Sequence, residues 1–560
     1  MREQHFNLVD EPWIRVLDNS GHTLDVSLRD IFHRASDIVA ISGELPTLDV
    51  AILRILLAVL HRAVEGPLDI EEWAEFRDDW PGVMAKVDAY LDRHKDRFWM
   101  QHPTQPFMQV ADLKRAGKEK ESSLIKFVVD GTGSENKPSQ FSTRTVPDSI
   151  SWSEAARWLV HCHSFDIAGI HSGAIGDPRV TGGKGPGIGT GWLGQQGTVF
   201  IVGETLKDTL ILNLVVPDVA GLHSSVNDIP VWERPALTAL PETWPDDGQK
   251  HDRYRDPEGL VDLYTWPSRR IRLFGDEFRV SDVLVSQGDR AQRGRVPPTN
   301  WFRIEPMTGW KLSSNKTKET QGLPVYYPVD FSSARSFWRG LEALLPQPSS
   351  TGQDGISKIV PPALSRWVSA LRTEGQFAEA LVRWHAVGIE YGSNDSSYNE
   401  LISDEIVLPT AVFTSEELAD QVLRAADVAD KAVFALGTLA QNVALAAGGS
   451  SESSGHRTKN VAQGFAALDP LFRNWVRTLG EGKTMVEARK DWHRTVHREV
   501  SNIGYQIIEE AGLAAYVGRT SGGQFRDAGL ALRWFKNALR KALPYAFAIE
   551  ESDEEGMDEK

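Results

Sequence analysis

"TMVEARKDWHRTVHREVSNIGYQII", residues 484–508, fixes the reading of the C-terminal part of the chain. Thr484 and Glu487 stand in the S/T-x-x-E spacing of a capping box, in which hydroxyl and carboxylate each accept a backbone N–H at a helix start. Beyond them Trp492, Val496, Val500, Ile503 and Ile507 recur every three or four residues, which lines them along one helical face. A face of that kind needs other helices to cover it. The same grammar runs outward from Thr414, where Thr414 and Glu417 form a second box. Helices are predicted over 414–447, 461–479, 485–511 and 523–546, separated by "GGSSESSG", "GEGK" and "VGRTSGGQ". The pattern is that of a four-helix bundle.

Toward the N-terminus the grammar changes. "LPQPSSTGQDGISKIVPP" (345–362) marks a long connection, and "LPTLDVAILRILLAVLHRAV" (45–64) reads as an amphipathic helix with Leu48, Ile52, Ile55, Leu56, Val59 and Leu60 on its buried face. Strand-like runs "TVFIVG", "TLILNLVV", "RRIRLF" and "LVRWHAVGIEYG" sit among many Pro and Gly. The expected fold is α+β: a large irregular mixed domain over 1–408, a helical bundle over 409–548, and a tail over 549–560. From Glu550 that tail has seven acidic residues against one lysine and no core formers, the composition of a solvated segment.

A chain of 560 residues with 41% hydrophobic and 25% charged residues can bury a large core. It contains no apolar run long enough to cross a bilayer, and "MREQHFNLVDEPW" lacks the apolar stretch of a signal peptide, so a soluble cytoplasmic protein is expected. One cysteine, Cys162, excludes an internal disulfide framework and any zinc site built from several thiolates. The net charge of -16 argues against a free-standing nucleic-acid binder, because phosphate neutralisation drives such binding.

Glycine fills seven of the thirteen positions in "GGKGPGIGTGWLG" (182–194). Glycine is costly to order, so such a run implies that something approaches the backbone closely. Phosphate-loop templates fail here: Gly183-Lys184 is followed by Gly185 in place of Ser or Thr, and Gly189-x-Gly191-x-x-Gly194 lacks the strand before and helix after that a dinucleotide fingerprint requires. A structural loop or a groove-facing backbone remain. His161, Cys162 and His163, with His171 nearby, resemble soft metal ligands, yet helical neighbours point about 100° apart. His493 and His497 share a helical face, with Arg494 where a zinc protease would place glutamate. No catalytic centre and no cofactor site emerges. Basic and polar loops complete the set: Lys114, Arg115, Lys118, Lys120 and Lys126 in "KRAGKEKESSLIK", Arg290, Arg293 and Arg295 in "GDRAQRGR", and Asn394 and Asp395 in "YGSNDSSYN", which reads as a hairpin tip.

The opening "FNLVDEPWIRV" (6–16) resembles the N-terminal signature of the CasA family, the large subunit of the type I-E CRISPR surveillance complex called Cascade. "LPTLDVAILRILLAVLHRA", "QPFMQV", the glycine run, "LYTWPSRRIRL" (263–273) and the terminal bundle follow in order. The resemblance implies a non-catalytic subunit that recognises the protospacer-adjacent motif (PAM) in double-stranded DNA, promotes strand separation, and docks a helicase-nuclease. Its implied partners are target DNA, the guide RNA complex and the other Cascade subunits, with no membrane. Carried over by resemblance, the reading loop falls on Gly183, Lys184, Gly185, Pro186 and Gly187. The wedge falls on Asn394 and Asp395, where the best-known members carry glutamine. Arg290, Arg293 or Arg295 stand in for a lysine finger, and Asn136, Lys137 and Phe141 for a segment touching the guide-bearing complex. Two other readings stay open: a scaffold without PAM reading, and a metal-dependent hydrolase using His161, His163, His171 or the bundle pair.

Overall fold

The computed structural model describes residues 4–117, 122–132, 144–194, 196–240, 257–289, 304–319, 322–346, 357–377, 380–449, 455–480, 482 and 484–547. Two compact units emerge. One comprises Met1–Phe337 with Ser349–Glu405, the other Trp338–Pro348 with Ile406–Lys560. The division is therefore not a single cut at 409. A short segment from inside the expected 1–408 body belongs with the helices because Trp338 stacks on Phe472 at 4.5 Å and donates to Asp469, while Arg339 donates to Asp430 at 2.8 Å. The tail 549–560 lies outside the described residues.

In the first unit, helix α1 (Pro46–Val64) begins with proline in its first turn and ends at Glu65 in left-handed conformation. It is buried around its circumference, not on one face as its periodicity predicts. Arg54 lies inside the core, and its guanidinium holds both oxygens of Glu305 at 3.0 and 2.7 Å, which is how a charge survives there. Helix α2 (Trp152–Phe165) starts at Ser151, whose hydroxyl accepts from Glu154 N–H, and meets α1 through His161 Nε2 and Thr47 Oγ1, 3.0 Å apart.

After α2 the chain forms strands β1 (Gly169–Ser172), β2 (Lys184–Ile188) and β3 (Thr198–Val202). "TLILNLVV" does not continue as a strand. Residues Leu206–Asn213 are helical, with Thr205 and Asp208 as a capping box. Strands β4 (Arg269–Gly275) and β5 (Arg279–Gln287) pair antiparallel, with Ile271 opposite Val285. Strands β6 (Leu381–Tyr391) and β7 (Tyr398–Pro409) extend β3 into a sheet of order β3-β6-β7.

Among its described residues the second unit contains four long helices: α3 (Glu416–Ala447), α4 (Gly455–Arg477), α5 (Met485–Glu509) and α6 (Ala528–Ala542). The Thr484–Glu487 capping box is present in both directions, at 3.3 and 2.8 Å. The Thr414 box is not. Ser415 caps α3 by accepting from Leu418 N–H, and Thr414 turns its hydroxyl back to the Ala411 carbonyl. Trp492, Val496, Val500 and Ile503 are buried, whereas Ile507 is only half-buried. α6 starts five residues later than expected because residues 519–521 and 524–526 form a small hairpin first.

Candidate nucleic-acid interface

The glycine run proves to be a hairpin. Thr181 and Lys184 exchange both backbone hydrogen bonds, at 3.0 and 3.1 Å, around Gly182 and Gly183 with φ of +60° and +79°. Two consecutive positive φ values are what a two-residue hairpin turn with the right-handed strand twist demands, and glycine supplies them without strain. Lys184, Gly185, Pro186 and Gly187 then belong to β2, paired with β1 so that Ile170 faces Gly187 and Gly169 faces Ile188. The stretch 183–187, onto which the reading loop is carried by resemblance, is thus the end of a turn followed by a strand. Glycine and an edge-tolerated proline can lie extended, and cross-strand pairing holds them there.

The glycines divide by what surrounds them. A Cβ on Gly191 would sit 2.5 Å from the carbonyl carbon of Ser164, and one on Gly194 would sit 2.7 Å from Tyr391 Oη. Those two are bare because the chain itself presses on them. Gly185 is buried, with its Cβ position 3.3 Å from Gln287 Cγ. Gly187 and Gly189 differ. Both are exposed; among the described residues a Cβ on Gly187 would meet only Ile170 Cγ1 at 4.0 Å, and one on Gly189 nothing within 4 Å. The neighbouring Ile170 is 68% exposed and Lys184 is exposed. Among the described residues the space beside these two Cα atoms is open, while Gly187 pairs with Ile170 and Gly189 O accepts from Arg269.

Two other loops meet this hairpin. At the β6–β7 turn, Asn394 and Asp395 take left-handed φ of 56° and 54°, a conformation Asn and Asp tolerate best after glycine. Asp395 is half-buried and its carbonyl accepts from Ala168 N–H at 2.8 Å, one residue before β1, while Asn394 is exposed. Distant parts of the sequence therefore place an amide-bearing turn beside the bare hairpin. Lys114–Ala116 runs along the other side: Ala116 N–H donates to Gly173 O, and Ile175 N–H to Lys114 O, both at 2.8 Å. The proximity of Lys114 and Arg115 to the glycines depends on that backbone pairing. Arg290, Arg293, Arg295, Asn136, Lys137 and Phe141 lie outside the described residues, as do Lys118 and Lys120.

The histidines make local structure. His163 is buried, bonded to Met108 O at 3.0 Å, and burial pushes its pKa down to about 4, so the ring is neutral. His171 on β1 pairs with buried Asp166 at 3.2 Å. In the second unit His493 packs on Tyr545 and His497 on Phe547. Among the described residues no group of three His, Cys, Asp or Glu is placed to hold a metal, and no helix is long and apolar enough to cross a membrane.

Similarity to known proteins follows the same lines. The family model for the CRISPR-associated protein Cse1 matches residues 7–503. The crystal structure of Thermobifida fusca Cse1 superposes with a TM-score of 0.86 at 38% identity, covering 97% of this chain and 99% of that one. The CRISPR-associated protein CasA/Cse1 of Thermus thermophilus is 28% identical over 355 residues, a match spanning 61% of each chain. A chain of a CRISPR RNA-guided surveillance complex shares the fold at 20% identity, with a TM-score of 0.62 over 90% of this chain and 99% of that one. With a family match running over residues 7–503, this chain belongs to the CRISPR-associated Cse1 (CasA) family.

Proposed function

We propose that this chain is the large subunit of an RNA-guided antiviral surveillance complex acting in the cytoplasm. In this reading it recognises the protospacer-adjacent motif in double-stranded DNA, promotes strand separation and R-loop formation, and docks the helicase-nuclease, without catalytic chemistry of its own. One observation carries the reading: the bare positions Gly187 and Gly189 lie in one hairpin with Lys184, and Ala168, just before the partner strand of that hairpin, donates to the Asp395 carbonyl of the turn bearing Asn394. The minor groove is about 6 Å wide and displays mainly acceptors, so a backbone bare at Gly187 and Gly189 enters where a helix does not, and N–H groups there meet those acceptors. Lys184 answers the phosphates. Asn394, rather than Asp395, suits the wedge because its amide is uncharged beside them and it is the exposed member of the pair.

A short motif suffices for such a subunit, since pairing of guide RNA with target supplies the remaining specificity and motif binding only nucleates it. Inserting a wedge costs one stacked step, about 1–2 kcal/mol, offset by the new contacts. The net charge of -16 fits a chain that meets DNA through local patches once its partners are assembled. The test is a mobility shift of guide-loaded complex, reconstituted with and without this chain, on duplexes differing only in the PAM. Discrimination that requires the chain supports the reading. Equal discrimination without it makes the chain a scaffold.

A further inference from the structure

We propose that Ile170 is a specificity-determining residue of the hairpin: an apolar wedge that enters the minor groove beside the bare glycines and lies against the base step at which the strands part. That role rests on the duplex-reading function proposed above, and it adds a contact made by neither charge nor hydrogen bond.

A lone exposed isoleucine on a protein surface needs no function. The surroundings of this one set it apart. Ile170 stands on β1, is 68% exposed, and pairs across the hairpin with Gly187. In an antiparallel pair a side chain meets the residue directly opposite and the two diagonal to it, and those contacts stabilise the pairing. For Ile170 the opposite residue is Gly187 and the diagonal positions are 185 and 189, so all three are glycine. The residue before it, Gly169, is glycine too, and among the described residues a Cβ there would meet nothing within 4 Å. The partner strand therefore gives Ile170 no side chain to pack on. The hairpin's other isoleucine is the contrast. Ile188, on β2, is 9% exposed, so the hairpin already buries one isoleucine and Ile170 is not the one that ties it down.

Proteins that work in the minor groove use apolar side chains, isoleucine among them, as wedges that part stacked bases. A β-branched side chain on a strand has few rotamers to lose on insertion. Placement agrees with that use. Ala168, two residues before Ile170, donates its N–H to Asp395 O at 2.8 Å, which brings the Asn394 turn to the start of β1. The two residues divide the work: Ile170 replaces stacking that the opened step loses, and Asn394 replaces hydrogen bonds. Lys184, exposed on the partner strand, is left to the phosphates.

The test uses Ile170→Thr and Ile170→Leu in the full chain, assembled into guide-loaded complex and measured on matched duplexes with and without the PAM. Threonine keeps the β-branch that suits a strand and removes apolar surface; leucine keeps the apolar surface and gives up the branch. With Ile170→Thr the preference for PAM-bearing duplex should fall about tenfold, the scale of the apolar area lost, and with Ile170→Leu it should stay within about twofold. Affinity for PAM-less duplex and the slope against salt should stay unchanged in both, whereas Lys184→Gln should weaken both duplexes and lower the slope by about one. Melting temperatures of the two Ile170 variants show that the fold is kept. Full PAM preference in Ile170→Thr overturns the wedge. Equal losses in Ile170→Thr and Ile170→Leu also overturn it, because apolar area is then not what the groove meets. Loss in Ile170→Leu alone makes Ile170 a strand former and nothing more. Absence of PAM discrimination in the unsubstituted complex overturns the duplex reading and the wedge together, whereas discrimination that survives Ile170→Thr overturns the wedge alone.

Discussion

Trp492 in the bundle and Arg269 beneath the glycine hairpin are both fully buried, and they contribute in different ways. Trp492 fills volume among Phe472, Trp475 and the α3 backbone, and its indole N–H needs one partner, Ala425 O at 2.8 Å. Its benefit comes from apolar area removed from water. Arg269 brings a charge into the interior, spends four hydrogen bonds on stabilising it there, and in return fixes the direction of two chain segments that flank the hairpin. The bundle is thus held by packing that tolerates adjustment. The hairpin is held by contacts that do not.

The comparison can be broken at graded points. Trp492→Ala should cost the most, about 3–5 kcal/mol, read as a lowered denaturation midpoint, because a large cavity opens between three helices. A smaller loss would mean the bundle collapses around it. Next comes pH. His163 has its pKa depressed to about 4 in the folded chain, against 6.5 when exposed, so the unfolded state binds more protons between those values. Its contribution is full above pH 6.5 and declines as pH falls toward 4. His163→Gln should therefore flatten the stability curve across that window, by about 3 kcal/mol at most; parallel curves for the two proteins would contradict the buried neutral ring.

Gly191→Ala should cost about 1–3 kcal/mol, since the new methyl meets Ser164 backbone at 2.5 Å and neither side can move cheaply. Thr484→Ala removes the hydroxyl that accepts from Glu487 N–H, leaves the backbone N–H of residue 484 to donate to Glu487, and should cost about 1 kcal/mol by chemical denaturation. Gly187→Ala should change stability least, within about 0.5 kcal/mol, because only Ile170 lies near. A large loss there would show that this backbone is bare for reasons of folding.

The bundle was the legible part of the chain. A period near 3.6 and a cap such as Thr484 are local signals, and they carried through to α3, α4 and α5. Local signals also misled: Thr414 has capping chemistry, but Ser415 is in position to use it, and "TLILNLVV" has strand composition yet lies in a helix begun by Thr205 and Asp208. The periodic face of α1 did not reveal that its other side is buried too, because Arg54 looks solvent-facing until Glu305, 251 residues away, is placed beside it. Near the hairpin nearly everything informative is long-range. Ala168 meets Asp395 and Gly189 meets Arg269 only in three dimensions. Composition flagged the glycines as a group; it could not separate Gly191 and Gly194, bare for the chain's own sake, from Gly187 and Gly189. One signal was present and unused: two adjacent arginines in the strand-like run "RRIRLF", one of which must point inward on either face.

The central claim is that the open backbone at Gly187 meets DNA. The direct measurement compares guide-loaded complexes carrying the unsubstituted chain or Gly187→Leu on matched duplexes that differ only in the PAM. A side chain at 187 projects into open space, whereas one at Gly185 strikes Gln287 and would test packing. The expected result is a folded protein of unchanged melting temperature whose preference for the PAM-bearing duplex falls about tenfold or more, the scale of losing one or two good base contacts. Full PAM discrimination with leucine at 187 would contradict it.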